Sequence, residues 1–516
     1  MRKQFKSVDN RSVSTTIAVV IIIIILIIAG VGAYLAFAPG KTTSTPSTSS
    51  LSSTSSTSST SSTSSSSVIQ TSTSSSTSAN SSGSTIQIVF GASLSLTGGA
   101  QPFGLEDNWT LHQAVDYVNS LGGIPLTNGQ RALIKLVVLD DQSSDTTSLN
   151  NYQTLITTDH AVVLMGQLGT IDDLIAANFA SQHAVPIIGP YYLAGAKSCN
   201  PAPTCDNSWT FGTFHNETNE AHVFLNWFRT VDPSTPSHNV TIAFFEETDD
   251  SAQANFAAGK AYAQQLGYTV CTCSDTSFQG GSSSEMQSFL SAAKAAGAEA
   301  VFGLPSPGDA ALMINTAKQI GYEPKAWLLT RGTAVAPFAV PQIGGIGPLA
   351  SGVLSAFPWA PGLPYSADIL GHNISNPTIV SQYEAAHNGQ LPTLEGVYYS
   401  GVAVAVDAIS QAANLTNVAI RQSLRTHTFQ TFMGPMSFTP GGQWLQSDQY
   451  MLLQQWQLVS VNGTSVPELK ILEPTNVATT NYIIYPFTFA NQQTSSWPPS
   501  TSTTNTASTS TIISSS

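Results

Sequence analysis

The residues best equipped for chemistry in this chain follow short apolar runs. Asp249, Asp250 and Ser251 come after Val240–Phe245, Ser306 after Ala300–Gly303, and Arg331, within Thr330-Arg331-Gly332-Thr333, after Ala326–Leu329. Adjacent carboxylates can serve as an acid–base or metal pair, but at a helix start they more often cap it and meet its positive dipole end. A guanidinium suits a carboxylate or another planar acceptor, which it grips through paired hydrogen bonds. No Gly-x-Ser-x-Gly elbow, His-Glu-x-x-His helix or Gly-x-Gly-x-x-Gly after a strand is present. Gly189–Ser198 looks like a phosphate loop, but Gly195-Ala196-Lys197-Ser198 interrupts the required pattern. The nine histidines are scattered, with no close pair in helical register, so neither a metal nor a cofactor is expected. Binding leads over catalysis. An extracellular hydrolase on a similar scaffold is the competing reading and a ligand sensor the third; a ligand returned chemically unchanged favours the binder.

These residues need a scaffold that gathers strand ends, and the pattern supplies one. Ile86–Ala92 is a short β-branched run, as expected of a parallel strand covered on both faces. A Ser/Thr/Gly-rich loop, 93–104, follows it. A helix from near Leu105 then carries Leu111, Val115, Val118 and Leu121 on one face and stops at Gly122-Gly123. Leu133–Leu139 is the second strand and ends in Asp140-Asp141-Gln142; Ala161–Met165 and Val185–Ile188 are the third and fourth. A second α/β series places strands at Val240–Phe245, Tyr268–Val270, Ala300–Gly303 and Ala326–Leu329, with helices between them. In open α/β sheets ligands sit at the carboxyl ends of strands, where all the residues above lie.

The order of strand, loop with Phe103-Gly104, helix with Ala114–Asn119, Gly122-Gly123-Ile124 and Val138–Gln142, together with Phe432–Phe438 and Gly441-Gly442, resembles the leucine/isoleucine/valine-type solute-binding proteins of ABC importers. The likeness runs from about Ile86 to about Trp456. It implies a two-lobed α/β fold of the type I periplasmic-binding-protein kind, each lobe a parallel sheet flanked by helices. The hinge would be crossed three times, near 211–215, 351–358 and 431–435. Lobe one would combine 86–213 with 358–432, and lobe two 214–357 with 433–485. The resemblance implies ligand contacts from Phe103, Gln167, Gly169, Thr170, Tyr191 and Tyr192 in lobe one and from Asp250, Ser251, Ser306 and Arg331 in lobe two. Amino-acid binders of this kind carry an acid where Arg331 stands. The reversal of charge favours a small organic acid or amide, an aromatic one included, with branched-chain amino acids as the alternative. The partners implied are a small-molecule ligand and the importer's membrane subunits, with the binder a monomer.

The ends of the chain set its location. Arg2, Lys3, Lys6 and Arg11 precede Ile17–Phe37, an apolar run whose helical length of roughly 31 Å matches a bilayer's hydrocarbon core. A signal-anchor with residues 1–16 in the cytoplasm is favoured over a cleaved signal, whose apolar region is shorter. Residues 38–85 are almost wholly Ser and Thr, and 486–516 are similarly biased, so both are expected to be disordered. The domain between them would lie outside the cell. Sequons at Asn80, Asn108, Asn216, Asn239, Asn373, Asn414 and Asn462 favour an exported, glycosylated surface. Two local disulfides are expected, Cys199 with Cys205 and, less firmly, Cys271 with Cys273, because the spacings do not suit zinc. A net charge of −13 argues against nucleic acid as a partner. Charged residues make up only 9% of the chain, a composition suited to an acidic habitat, where unbalanced Lys and Arg would repel one another.

Overall fold

The first sheet grows from β1 (Thr85–Leu94), whose alternate residues Phe90, Ala92 and Leu94 are fully buried. The computed structural model describes residues 84–98, 100–168, 173–191, 209–232, 240–247, 250–275, 277–278, 282–390, 392–461 and 463–490. The apolar run Ile17–Phe37, the Ser/Thr segment as far as Gly83, the tail from 491, and Asn80, Gly169, Thr170, Tyr192, Cys199, Cys205, Asn239, Asp249 and Asn462 lie outside them. No helix among the described residues is long and apolar enough to cross a membrane.

β2 (Ile124–Pro125), β3 (Arg131–Asp140), β4 (Ala161–Met165), β5 (Ile187–Gly189) and β6 (Thr210–Gly212) join β1 in the order β2-β3-β1-β4-β5-β6. All neighbours are parallel except β2 and β3. Helices α1 (Gln101–Ser120), α2 (Asp145–Thr157) and α3 (Asp173–His183) link these strands. The first begins four residues before the expected Leu105, with Pro102 in its opening turn, where a missing N–H costs nothing.

The chain leaves this sheet after β6 and enters α4 (Glu217–Val231), which is started by Asn216 and Asn219 bonding reciprocally. The second sheet comprises β7 (Thr241–Glu247), β8 (Thr269–Val270), β9 (Ser277–Phe278), β10 (Ala300–Gly303), β11 (Ala326–Leu329) and β12 (Leu354–Phe357). Helices α5 (Asp250–Gln265), α6 (Ser283–Ala295) and α7 (Pro307–Ile320) connect them. Phe224, Phe244, Phe256 and Phe302 fill one face in mutual ring contact. Cys271 and Cys273 are joined by a disulfide, their Cα atoms 5.2 Å apart.

From β12 the chain returns to the first sheet. There the hairpin β13 (Ser366–Ile369) and β14 (His372–Ser375) precedes three helices, α8 (Asn376–Ala386), α9 (Glu395–Gln411) and α10 (Asn417–Thr426). α9 is buried along almost its whole length and packs against α1. A small hairpin, β15 (Phe429–Thr431) and β16 (Gly434–Met436), leads back to the second sheet. β17 (Leu452–Val461) then pairs antiparallel with β12, and β18 (Thr464–Glu473) with β17. The passages between lobes run side by side: the rings of Phe214 and Phe357 meet at 5.2 Å, and Gly212 N donates to Gly442 O. The result is a two-lobed α/β fold of two largely parallel sheets.

Candidate functional site

In the first lobe, the loop leaving β1 is fixed by the acids that end β3. Asp140 accepts hydrogen bonds from Leu96 N, Thr97 N, Thr97 Oγ1 and Gln142 N. Burial pushes its carboxyl up, but these bonds outweigh it and hold the group below the usual carboxylate range. Ser95 Oγ donates to Asp141 Oδ1 at 2.7 Å, and Ser95 N donates to Gln167 Oε1 at 2.8 Å. Gly104 lets α1 reach this knot: a Cβ there would lie 2.2 Å from Ser95 O. The loops after β1, β3 and β4 are thus one rigid assembly, with Phe103 half-buried beside it.

Two expectations for this lobe change in emphasis. Gln167 is fully buried and its side-chain oxygen is spent on Ser95, so its side chain ties two loops together. Tyr191 is 2% exposed and packs beneath Gly166, where a Cβ would meet its hydroxyl at 2.1 Å, so the ring belongs to the core and does not offer an open face. That packing depends on Gly166, a residue whose role only the fold reveals.

In the second lobe, Ser306 caps α7: its Oγ accepts from Asp309 N at 3.1 Å and donates to Asp309 Oδ2 at 2.8 Å. Gly332 presses against the same turn, leaving 2.3 Å between a would-be Cβ and Pro305 O. The loops after β10 and β11 therefore touch, which brings Ser306 and half-buried Arg331 together. Arg331 has a φ of 60° and donates from Nη2 to Leu304 O. Asp250 and Ser251 open α5, beyond the carboxyl end of β7.

Sequence reasoning passed over three features. His215 Nε2 lies 2.6 Å from Glu220 Oε1, both side chains fully buried, and Glu220 Oε1 also accepts from Thr330 Oγ1 at 3.2 Å, next to Arg331. Between α1 and the start of α9, Thr393 Oγ1 donates to both oxygens of Glu106, while Thr393 N and Leu394 N donate to Glu395 Oε2. Burial raises all three acids here: Glu395 to about 7, and Glu106 and Asp107 well above the usual range. Third, a cavity of about 450 Å³ is lined by residues that include Ala334, Trp359, Pro392, Thr393, Gln454 and Trp456. Phe103, Gln167, Tyr191, Ser306 and Arg331 do not line it.

Among the described residues no group of three or more His, Cys, Asp or Glu could hold a metal ion. Of the described sequons, Asn373 and Asn414 are exposed, whereas Asn108 and Asn216 are half-buried.

The chain matches the periplasmic binding protein family over residues 87–463. Solved structures share its fold. A putative branched-chain amino acid ABC transporter protein from Silicibacter pomeroyi has a TM-score of 0.63 at 19% identity, covering 78% of this chain and all of that one. The leucine-binding protein LivK from Thermotoga maritima has a TM-score of 0.58 at 18% identity, over 75% and 99%. A solute-binding protein of an ABC transporter from Rhodopseudomonas palustris, in complex with 3,4-dihydroxybenzoic acid, has 0.53 at 14%, over 76% and 99%. On the extent of that match and on its two-sheet topology, the chain belongs to the periplasmic binding protein family.

Proposed function

We propose that this protein is an extracellular solute-binding protein, held at the membrane by Ile17–Phe37, that captures a small organic acid, amide or amino acid between its lobes and passes it to an ABC importer. Lobe one would be 86–213 with 358–432, and lobe two 214–357 with 433–485. The observation that carries the reading is the joining of Arg331 and Ser306 at the carboxyl ends of β10 and β11 by the Gly332 contact. Opposite them in the ligand-bound state would stand Phe103 and the backbone around Gln167, with Gly169, Thr170, Tyr192, Asp250 and Ser251 completing the cleft. A guanidinium at this place favours an anionic or amide group on the ligand. The relative crystallised with 3,4-dihydroxybenzoic acid gives that ligand class a precedent on this fold.

A thermal-shift screen of organic acids, amides and amino acids finds the ligand through the stability that saturation adds. Calorimetry of Arg331→Ala should then show affinity weakened by roughly 1.5–3 kcal/mol, the range for hydrogen bonds to charged groups. Unchanged affinity for an acidic ligand, or tight leucine binding by the unaltered protein, would remove Arg331 from the site.

A further inference from the structure

We propose that the first sugar of a glycan attached to Asn373 is seated in a polar groove of the first lobe, where it ties β14 and α8 to α1. The inference rests on the extracellular reading of the chain given above. The groove has a volume of about 390 Å³, within the roughly 300–1,000 Å³ of pockets that hold small molecules. It is lined from the second half of α1, from β14, from α8 and by Tyr399 of α9. Because α1 starts at the carboxyl end of β1 and its second half runs away from that end, the groove lies apart from the proposed solute cleft.

Most polar side chains in the groove are uncommitted. Gln113, Asp116, Asn373 and Gln382 make no side-chain hydrogen bond among the described residues, and neither do the hydroxyls of Tyr117 and Tyr399. The exceptions are Ser120 Oγ, which donates to Tyr117 O at 2.7 Å, and Thr378 Oγ1, 2.9 Å from Ser375 Oγ. Sugar hydroxyls both donate and accept, as do the Gln113 and Gln382 amides and the two phenols. Half-buried Tyr117 and buried Ile374 add apolar surface for the C–H face of a sugar ring. Asp116 is the only charged residue in the lining, so a neutral sugar fits and an acidic one does not. The sequon supplies the tether, for Asn373 is exposed and itself lines the groove. Asn414 differs: its Oδ1 accepts from Thr416 N and Thr416 Oγ1, and it does not line the groove. An open groove holds a free sugar weakly, but one fixed to Asn373 meets it as an intramolecular event at high effective concentration. In the attachment, which a membrane transferase of the exporting cell performs, Asn373 Nδ2 bonds to the anomeric carbon of a lipid-linked glycosyl diphosphate. That carbon's bond to the phosphate oxygen breaks, and the diphosphate leaves as the amide gives up one proton.

The test uses the full chain purified from cells that export and glycosylate it, beside the same chain made in a host without the transferase. Peptide mass spectrometry should find a sugar on Asn373. In the glycosylating cells Asn373→Gln should lower the melting temperature by roughly 2 °C or more and Asn414→Gln by clearly less, whereas in the other host Asn373→Gln should have no effect. Gln113→Ala combined with Gln382→Ala should lower the melting temperature of the glycosylated chain and leave that of its Asn373→Gln variant unchanged, a contrast that a purely structural role for these side chains would not produce. The proposal is overturned if Asn373 carries no sugar, if Asn373→Gln costs no more than Asn414→Gln, or if the double substitution acts equally with and without the Asn373 sugar. A sugar on Asn414 with none on Asn373 would leave the extracellular reading standing and remove this one.

Discussion

Glu395→Gln should leave the fold little affected in acid and make it more stable than the parent above neutrality. The Glu395 carboxyl is fully buried at the first residue of α9, and burial raises it from 4.5 to about 7. The unfolded chain releases this proton near pH 4.5 and the folded chain near 7. The fold's advantage is therefore complete below 4.5 and is lost as the pH rises through 7. At 1.36 kcal/mol per pKa unit, the loss attached to this one group approaches roughly 3 kcal/mol. Gln keeps an oxygen for Thr393 N and Leu394 N and has no proton to lose. Removing the charge also relieves Glu106, whose carboxyl Glu395 raises further after burial has done so. Urea unfolding of parent and variant at pH 4 and pH 8 measures the effect: the difference in stability should move in the variant's favour by roughly 2–3 kcal/mol between the two. A difference that does not change with pH would refute the assignment. Asp407, raised by burial to about 6, and Asp107 act in the same direction, so the parent itself should be more stable at pH 4.5 than at pH 8. That agrees with the sparse charge of the sequence and its suggestion of an acidic habitat.

Other consequences are simpler to measure. Ser306→Ala removes the cap of α7 and should cost about 0.5–2 kcal/mol in denaturant unfolding. Gly332→Ala places a Cβ 2.3 Å from Pro305 O, so it should destabilise the second lobe by about 1–3 kcal/mol and weaken solute binding by moving Arg331. If the chain is glycosylated outside the cell, Asn373→Gln and Asn414→Gln should each remove a glycan mass from the intact protein. The half-buried Asn216, whose Oδ1 accepts from Thr218 N and Thr218 Oγ1, should contribute none.

The parallel strands were legible because they are short apolar runs: β4, β10 and β11 fall on the residues that the pattern marks. β17 was not. Its sequence LLQQWQLVSV carries Gln454, Gln455 and Gln457 into the interior, where Gln455 Nε2 donates to Gly352 O and Ile484 O and Gln457 Nε2 to Tyr482 O. Three buried amides, each donating its NH₂ to a distant carbonyl, break any alternation that a sequence reading could follow. The site divides in a similar way. Arg331 and Ser306 are marked by their places after strands, whereas Glu106, Asp107 and Glu395 meet only because α1 and α9 pack together. The burial of Tyr191 was not legible, because it is decided by Gly166 on another strand's end.

The pairing of β12 with β17, Leu354 opposite Gln455, bears on how the chain is made. During synthesis β12 emerges well before the strand that covers its edge, and the intervening residues build the other lobe. Until β17 arrives, the nascent second lobe exposes a row of unpaired backbone groups on an apolar strand, the kind of edge that invites pairing with another chain. Truncation anywhere before Leu452 would make that state permanent, and the fragment should be recovered as aggregate and not as an isolated lobe.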